Sequence, residues 1–533
     1  MWRTLLALLA LPATLAAQQS SPTAIADSVF AQWNSTHTPG CAVGVSRNGH
    51  VLLTRAYGMA DLETGRPNTP ETIFESGSVA KQFTATAVVL LALDGKLDLD
   101  DPVQQYIPEL PDYGQPLTIR NLLTHTSGLR EWSNLVALQG WPRGTRVHTQ
   151  DDLLNVVVSQ KALNYPVGTY YSYTNSGFGL LFTIVERVSG KSFQDFEQER
   201  IFGPLGMTHT SWRDDFTHLV PGRAQAYTRE RDGWHLDMPF ENVVGPGGLL
   251  STVGDWLIWN DALTHKTLGA AWADSMSQQM RLNDGRQIQY ALGLMFREYR
   301  GLREISHSGS TAGYSTYLAR YPDRGLSVAV MCNSTQGRAG AYTHALADAF
   351  LTDFPPEPTL DTTAADTAQL RRYAGIYRSE RTHQALTVSS EMFESLRALP
   401  GDWYWMRGDR RVHFDLSPDG SPAGLHIAQS DGDTVGYVFA AAERWEPTPQ
   451  QLASFEGRYR SDELGVTYEV KIRNDTLTIG ALPGRFLTLR PSYPNAFQAR
   501  GTEIWFTHDR RGRVTAAHMG AARLWDLVLL RVP

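Results

Sequence analysis

The sequence predicts an α+β domain, an antiparallel sheet flanked by helices, followed by an all-β, barrel-like C-terminal region. Three observations carry this. Strand-like runs stand around 41–57 and 290–333, with a helical, loop-rich middle between them, so one sheet is assembled from both ends of the first domain. The stretch 354–367 then holds three prolines among Glu, Asp, Thr and Ala without apolar periodicity and reads as a linker. Beyond it, short alternating stretches are divided by turns such as Pro418-Asp419-Gly420. Here Leu370-x-x-Tyr373-x-Gly375-x-Tyr377-Arg378-Ser379 recurs 82 residues later as Leu452-x-x-Phe455-x-Gly457-x-Tyr459-Arg460-Ser461. The repeat implies two related β units, or two halves of one barrel.

Taken in order, residues 23–33 have the pattern of an amphipathic helix. Residues 41–46 and 51–57 flank Asn48-Gly49, a strong hairpin signal. A helix after Ser78 carries Phe83, Val88, Val89 and Leu93 and stops at Gly95. In the middle, Thr252 and Asp255 make an N-terminal capping pair before Trp256, Trp259 and Leu263. Strands are predicted over 290–296, 303–307, 314–321 and 326–333, with Pro322-Asp323-Arg324-Gly325 joining the last two, and a helix over 342–351. The resulting organisation is a leader at 1–17, a first domain at 22–352, a linker at 353–368, and β units at 369–447 and 448–533.

The leader reads as an export signal: Arg3, an apolar run over 5–11, then a small-residue stretch ending at Ala16 and Ala17. A membrane helix needs about 20 apolar residues, roughly twice this run. No cysteine closely follows it, so neither a spanning anchor nor a lipid anchor is expected, and the protein is expected in a periplasm or outside the cell. A net charge of -7 and a pI near 6.1 argue against nucleic acid as a partner. The two cysteines, Cys41 and Cys332, are either a disulfide or two buried thiols. Two cysteines exclude a cysteine-based zinc site, and His-Glu-x-x-His does not occur. No metal and no cofactor is expected.

The chemistry centres on Glu75-Ser76-Gly77-Ser78-Val79-Ala80-Lys81. Helical spacing puts Ser78 and Lys81 on one face, a turn apart. A serine hydroxyl is a poor nucleophile until a neighbouring base removes its proton, and Ser-x-x-Lys is one arrangement that does so. On its own this spacing also describes a helix N-cap followed by a surface lysine. Three further stretches offer what the pair needs. Tyr173-Thr174-Asn175 supplies a tyrosine that a nearby lysine would acidify, able to relay a proton, and an asparagine able to orient an amide or Lys81. His307-Ser308-Gly309-Ser310 lies at a strand edge, where the N–H of Ser310 could join that of Ser78 on a developing oxyanion. Leu122 to Leu129 includes His125, read as structural because nothing in the sequence places its ring at the nucleophile.

Ser78-x-x-Lys81, Tyr173-x-Asn175 and His307-Ser308-Gly309, in that order, resemble the beta-lactamase-related serine hydrolases: class C beta-lactamases, DD-peptidases, D-aminopeptidases and several esterases. Pro204-Leu205-Gly206-Met207 and Gly247-Gly248-Leu249 agree with the resemblance, which covers roughly 25–350. It implies the beta-lactamase/penicillin-binding-protein fold and an acyl-enzyme on Ser78. Lys81 would be base or relay, Tyr173 base or acid toward the leaving group, and Asn175, His307, Gly309 and Ser310 would border the substrate. The tail resembles the lipocalin-like β-barrels of D-aminopeptidases. One departure stands out: the third motif usually starts with lysine, which helps hold a substrate carboxylate, and here it starts with His307. A neutral histidine forgoes a cation–carboxylate attraction of up to ~4 kcal/mol at 4 Å and an effective dielectric near 20. The expectation is therefore a hydrolase of small-molecule or peptide substrates, D-aminopeptidase-like before carboxylesterase or beta-lactamase. A non-catalytic binding protein on the same fold is the reading from another class.

Overall fold

A computed structural model describes residues 21–351, 353–355, 362–406, 410–429, 433–482 and 485–533. The expected leader and residues 356–361 of the expected linker lie outside the described residues. Helix α1 (Pro22–Val29) starts on the side chain of Ser21 with proline at its first position, where no N–H is needed. It is shorter than predicted, because a 3-10 turn, Ala31–Trp33, finishes the stretch and buries Trp33. Strands β1 (Cys41–Arg47) and β2 (His50–Tyr57) form the predicted hairpin. Asn48 and Gly49 both take positive φ, 49° and 79°, the turn geometry that follows strand twist.

Helix α2 (Lys81–Leu93) is buried from Lys81 to Leu91, as befits a helix at the centre of a domain. Leu93, grouped with its apolar residues, is 49% exposed on the last turn. The loop-rich middle contributes α3 (Trp132–Leu138), α4 (Asn175–Ser189), which packs on α2, and α5 (Val253–His265). In α5 the Thr252 side chain accepts from the Asp255 N–H, as the capping pair predicts.

Four strands from the far end of the domain complete the sheet: β3 (Met295–Tyr299), β4 (Leu302–Thr311), β5 (Tyr314–Tyr321) and β6 (Leu326–Cys332). The order is β3-β4-β5-β6-β1-β2, antiparallel throughout, so the chain's two ends do meet in one sheet. Cys41 faces Cys332 in the β1–β6 register and the two form a disulfide. The predicted strand at 290–296 instead begins at Met295. Residues before it turn, because Gly293 (φ 75°) leans on the start of α2, where a Cβ would stand 2.7 Å from the Lys81 carbonyl oxygen. Helix α6 (Ala339–Phe350) follows, starting three residues earlier than predicted.

The β region forms two separate antiparallel sheets rather than halves of one barrel. The first has eight strands and takes in residues 363–364 of the expected linker as an edge. The second has nine, and its two edge strands, Arg485–Thr488 and Arg490–Pro491, are separated only by Leu489. The chain therefore passes from one edge to the other and the sheet nearly closes, a loosely lipocalin-like barrel. The repeat has a structural basis. In both units the tyrosine of the motif is fully buried and its hydroxyl donates four residues back, Tyr377 to Tyr373 O at 2.8 Å and Tyr459 to Phe455 O at 2.7 Å. The second unit is docked on the first domain: Arg130 pairs with Glu463 at 2.7 Å and donates to Asp526 O at 2.7 Å, and the Tyr468 hydroxyl donates to Leu138 O. Among the described residues no helix is long and apolar enough to cross a membrane.

Candidate active site

Ser78 lies in a 3-10 turn, Gly77–Ala80, that feeds α2, and no side-chain cap begins that helix. The simple N-cap reading is therefore not what is seen. Upstream, Glu75 is buried and held by Arg213 at 2.9 and 3.0 Å and by Arg223 at 2.9 Å. Two glycines then let this turn and β4 touch backbone to backbone. A Cβ on Gly77, at φ 53°, would fall 2.5 Å from Ser310 N, and one on Gly309 would fall 1.9 Å from Ser76 O. Thr316 locks the contact by donating to Ser76 O at 2.7 Å. The predicted neighbours Ser78, Gly309 and Ser310 are thus brought together by close approach that only glycine permits.

Lys81 is fully buried and its Nζ has three oxygen neighbours: Asn175 Oδ1 at 2.8 Å, Pro246 O at 2.8 Å and Ser78 Oγ at 3.1 Å. The rings of Tyr173 and Phe178 lie 4.9 and 5.5 Å away. Burial holds Lys81 well below the ordinary lysine range; Glu131 opposes this, and Arg523 and Arg143 add to it.

Tyr173 precedes α4, whose N-cap is Thr174 and whose first residue is Asn175. The motif is fixed by a residue that sequence reasoning missed. Glu131, 1% exposed, accepts from the Asn175 N–H at 2.7 Å, Asn175 Nδ2 at 3.3 Å and Thr174 Oγ1 at 3.2 Å. A carboxylate here also suits the positive end of a helix. Because Asn175 Nδ2 is turned to Glu131, its oxygen is left for Lys81. The Tyr173 ring is half-buried and its hydroxyl fully so, without a well-aligned hydrogen bond among the described residues. Burial pushes it above the usual phenol range, against the pull of the Ser78 hydroxyl and Arg523. The expectation that lysine would acidify it fails, since a buried Lys81 is itself biased toward its neutral form.

His307 is buried, with Nδ1 2.7 Å from Ser308 O and Nε2 3.0 Å from the Tyr290 hydroxyl. A carbonyl only accepts, so Nδ1 carries the proton and Nε2 takes the Tyr290 hydroxyl. Burial and Lys81 hold this imidazole at about 3, neutral at pH 7 as expected. His125 is closer to the site than expected. At φ 58°, it packs its ring at a tilt 4.2 Å from that of Tyr173 and accepts from Thr174 N at 3.3 Å. It positions the Tyr173 loop rather than touching Ser78.

The other missed residue comes from the barrel of the second β unit. The hairpin of Val514–Ala521 and Leu524–Val532 has Ala522-Arg523 at its tip. The Arg523 guanidinium lies 5.1 Å from the Tyr173 ring and 3.8 Å from Glu131, and its carbonyl accepts from Glu131 N at 3.3 Å. The tail therefore reaches the site. No sequence signal links residue 523 to residue 131, whereas Glu131 follows closely on the Leu122 to Leu129 stretch.

The Beta-lactamase family model matches residues 25–352. A D-aminopeptidase of Brucella ovis is 28% identical over 518 residues, covering 90% of this chain and 93% of that protein. Among solved structures, the octameric penicillin-binding protein homologue from Pyrococcus abyssi is similar with a TM-score of 0.55 at 19% identity, covering 95% of this chain and 99% of its own. A class C beta lactamase from Rhodobacter sphaeroides gives a TM-score of 0.51 at 25% identity, over 62% of this chain and 99% of its own. The matched span holds all three ordered motifs, and the fold brings them to one serine: the chain belongs to the Beta-lactamase family of serine hydrolases.

Proposed function

We propose that the protein is an exported peptidase of D-aminopeptidase-like type that works through an acyl-enzyme on Ser78. The arrangement around Lys81 carries this reading. Asn175 Oδ1 and Pro246 O can only accept, so they take two N–H groups of the amine. The remaining position faces Ser78 Oγ. In the neutral amine favoured by burial, that position is a lone pair aimed at the serine proton. Lys81 removes that proton as Oγ attacks the substrate carbonyl, and the N–H groups of Ser78 and Ser310 receive the oxyanion. Tyr173, still protonated, gives its proton to the departing amine and takes back the one that Lys81 removed from Ser78. Water then takes the place of the amine and releases the acyl group, restoring Ser78.

Two observations support the substrate class. The D-aminopeptidase similarity covers 90% of this chain and so extends into both β units, and the neutral His307 offers no cation for a substrate carboxylate. Arg523 favours a second reading, in which an ester or β-lactam substrate presents an anionic group to this guanidinium. Export is supported by the leader-like residues 1–17 and by the Cys41–Cys332 disulfide, which suits an oxidising compartment. The test is turnover of D- and L-aminoacyl amides, short esters and a chromogenic cephalosporin, with Ser78→Ala as control. D-aminoacyl amides should lead. Preference for the cephalosporin or esters would overturn the peptidase reading, and no turnover of any would favour a binding protein.

A further inference from the structure

The barrel of the second β unit contains a space that the proposed chemistry leaves unused. At one place the barrel is filled by Phe455, Phe497 and Phe506, with ring centroids 4.6 to 6.0 Å apart. Elsewhere small residues, Gly480, Ala481, Ala499 and Ala521, leave a cavity of about 650 Å³ among Tyr468, Ile479, Leu487, Ile504, Met519 and Leu524. Ala137 and Leu138 of α3 roof it. The volume falls within the roughly 300–1,000 Å³ of small-molecule sites, and a mostly apolar lining with a few polar groups at one side is their usual chemistry.

The charged residue of this lining is Arg500. Arg500 lines the cavity and also an adjoining one of about 440 Å³, which shares Phe486, Leu487 and Ala499 and adds Arg490. Phe486 carries Arg473 over its ring at 3.9 Å and Lys471 at 4.6 Å. Lys471 is paired with Glu469. Arg473, Arg490 and Arg500 have no ion-pair partner among the described residues. An apolar chamber with Arg500 in its wall and Arg490 in the wall of the adjoining cavity selects an apolar chain ending in an anion, because each guanidinium can bind a carboxylate or phosphate in a fork.

We propose that this cavity binds a single-chain amphiphile with an anionic head. The chain lies among Ile479, Leu487, Ile504 and Met519, and the head meets Arg500 and Arg490. This site does not depend on Ser78, so it is tested in both the native chain and Ser78→Ala. Each is titrated calorimetrically with dodecanoate below its micelle concentration, and with hexanoate, dodecyltrimethylammonium and dodecanol as matched probes. Dodecanoate should show one saturable site per chain, at least about tenfold tighter than hexanoate or the cationic amphiphile. Arg500→Glu, on an exposed turn, should weaken dodecanoate about tenfold or more and leave dodecanol unchanged. Ala499→Phe, checked for native melting, should fill the chamber and weaken both. Non-saturable binding, equal affinity for the cationic amphiphile, or indifference to both substitutions would overturn the proposal.

Discussion

Replacing Glu131 by glutamine tests the electrostatics of the site most sharply, because it removes a charge while keeping the shape. Lys81 and Glu131 are bridged by the single amide of Asn175, with contacts of 2.8 and 3.3 Å, which keeps the two charges within about 8 Å of each other. At an effective dielectric near 20 that separation is worth ~2 kcal/mol. Glu131 raises Lys81 against the lowering effect of burial. Its removal therefore makes Lys81 a weaker base that is neutral over a wider range. The acid limb of Ser78 reactivity should move to lower pH. The assay is the second-order rate of Ser78 modification by a fluorophosphonate across pH, which needs no knowledge of the natural substrate. An acid limb that stays in place, or moves up, would refute the assignment of Lys81 as the base.

Four further outcomes follow from the same geometry. Tyr173→Phe should slow turnover of amides by ~10²–10⁴ but affect an activated ester far less, since only the amine leaving group needs the phenol proton; equal losses would remove Tyr173 from that role. His307→Lys should raise kcat/KM for carboxylate-bearing substrates relative to neutral ones, and an unchanged ratio would refute the argument from the missing cation. Glu75→Ala leaves Arg213 and Arg223 buried without their carboxylate and should cost about 3–5 kcal/mol in chemical denaturation, so a loss below about 1 would contradict that structural role. Glu304 gives the pH dependence of stability. Burial pushes it up, but the His344 ring and the Tyr317 and Tyr321 hydroxyls override this and hold it at about 2 against an ordinary 4.5. Its contribution, ~3 kcal/mol, is present above about pH 4.5 and lost as pH falls toward 2. Glu304→Gln should be less acid-sensitive than the native chain in urea titrations, and equal sensitivity would contradict the assignment.

Much of this site was legible because its parts are local. Ser78 and Lys81 are one turn apart, Tyr173 and Asn175 share a helix start, and His307 through Ser310 share a strand. Their order along the chain identified the family before any geometry was known. The sheet was legible for a similar reason, since Asn48-Gly49 and the run after Pro322 are local turn signals. What escaped depends on contacts across the fold. Tyr290 sits in an apolar alternation that reads as strand, yet Gly293 against the Lys81 carbonyl turns the chain and sends its hydroxyl to His307. Arg523 reaches Tyr173 from a barrel hairpin, and neither residue's neighbourhood announces the other. The Tyr173 phenol was expected to be acidified by lysine. It is not, because both groups are buried, and burial favours the neutral form of each.

The central claim is that Ser78 is a nucleophile activated by Lys81. Intact-protein mass spectrometry after treatment with a fluorophosphonate tests it directly on the native chain, Ser78→Ala and Lys81→Ala. One adduct per chain on Ser78 is expected, absent in Ser78→Ala and formed ~10²–10⁴ times more slowly in Lys81→Ala. An unmodified native chain, or one modified equally fast without Lys81, would contradict it.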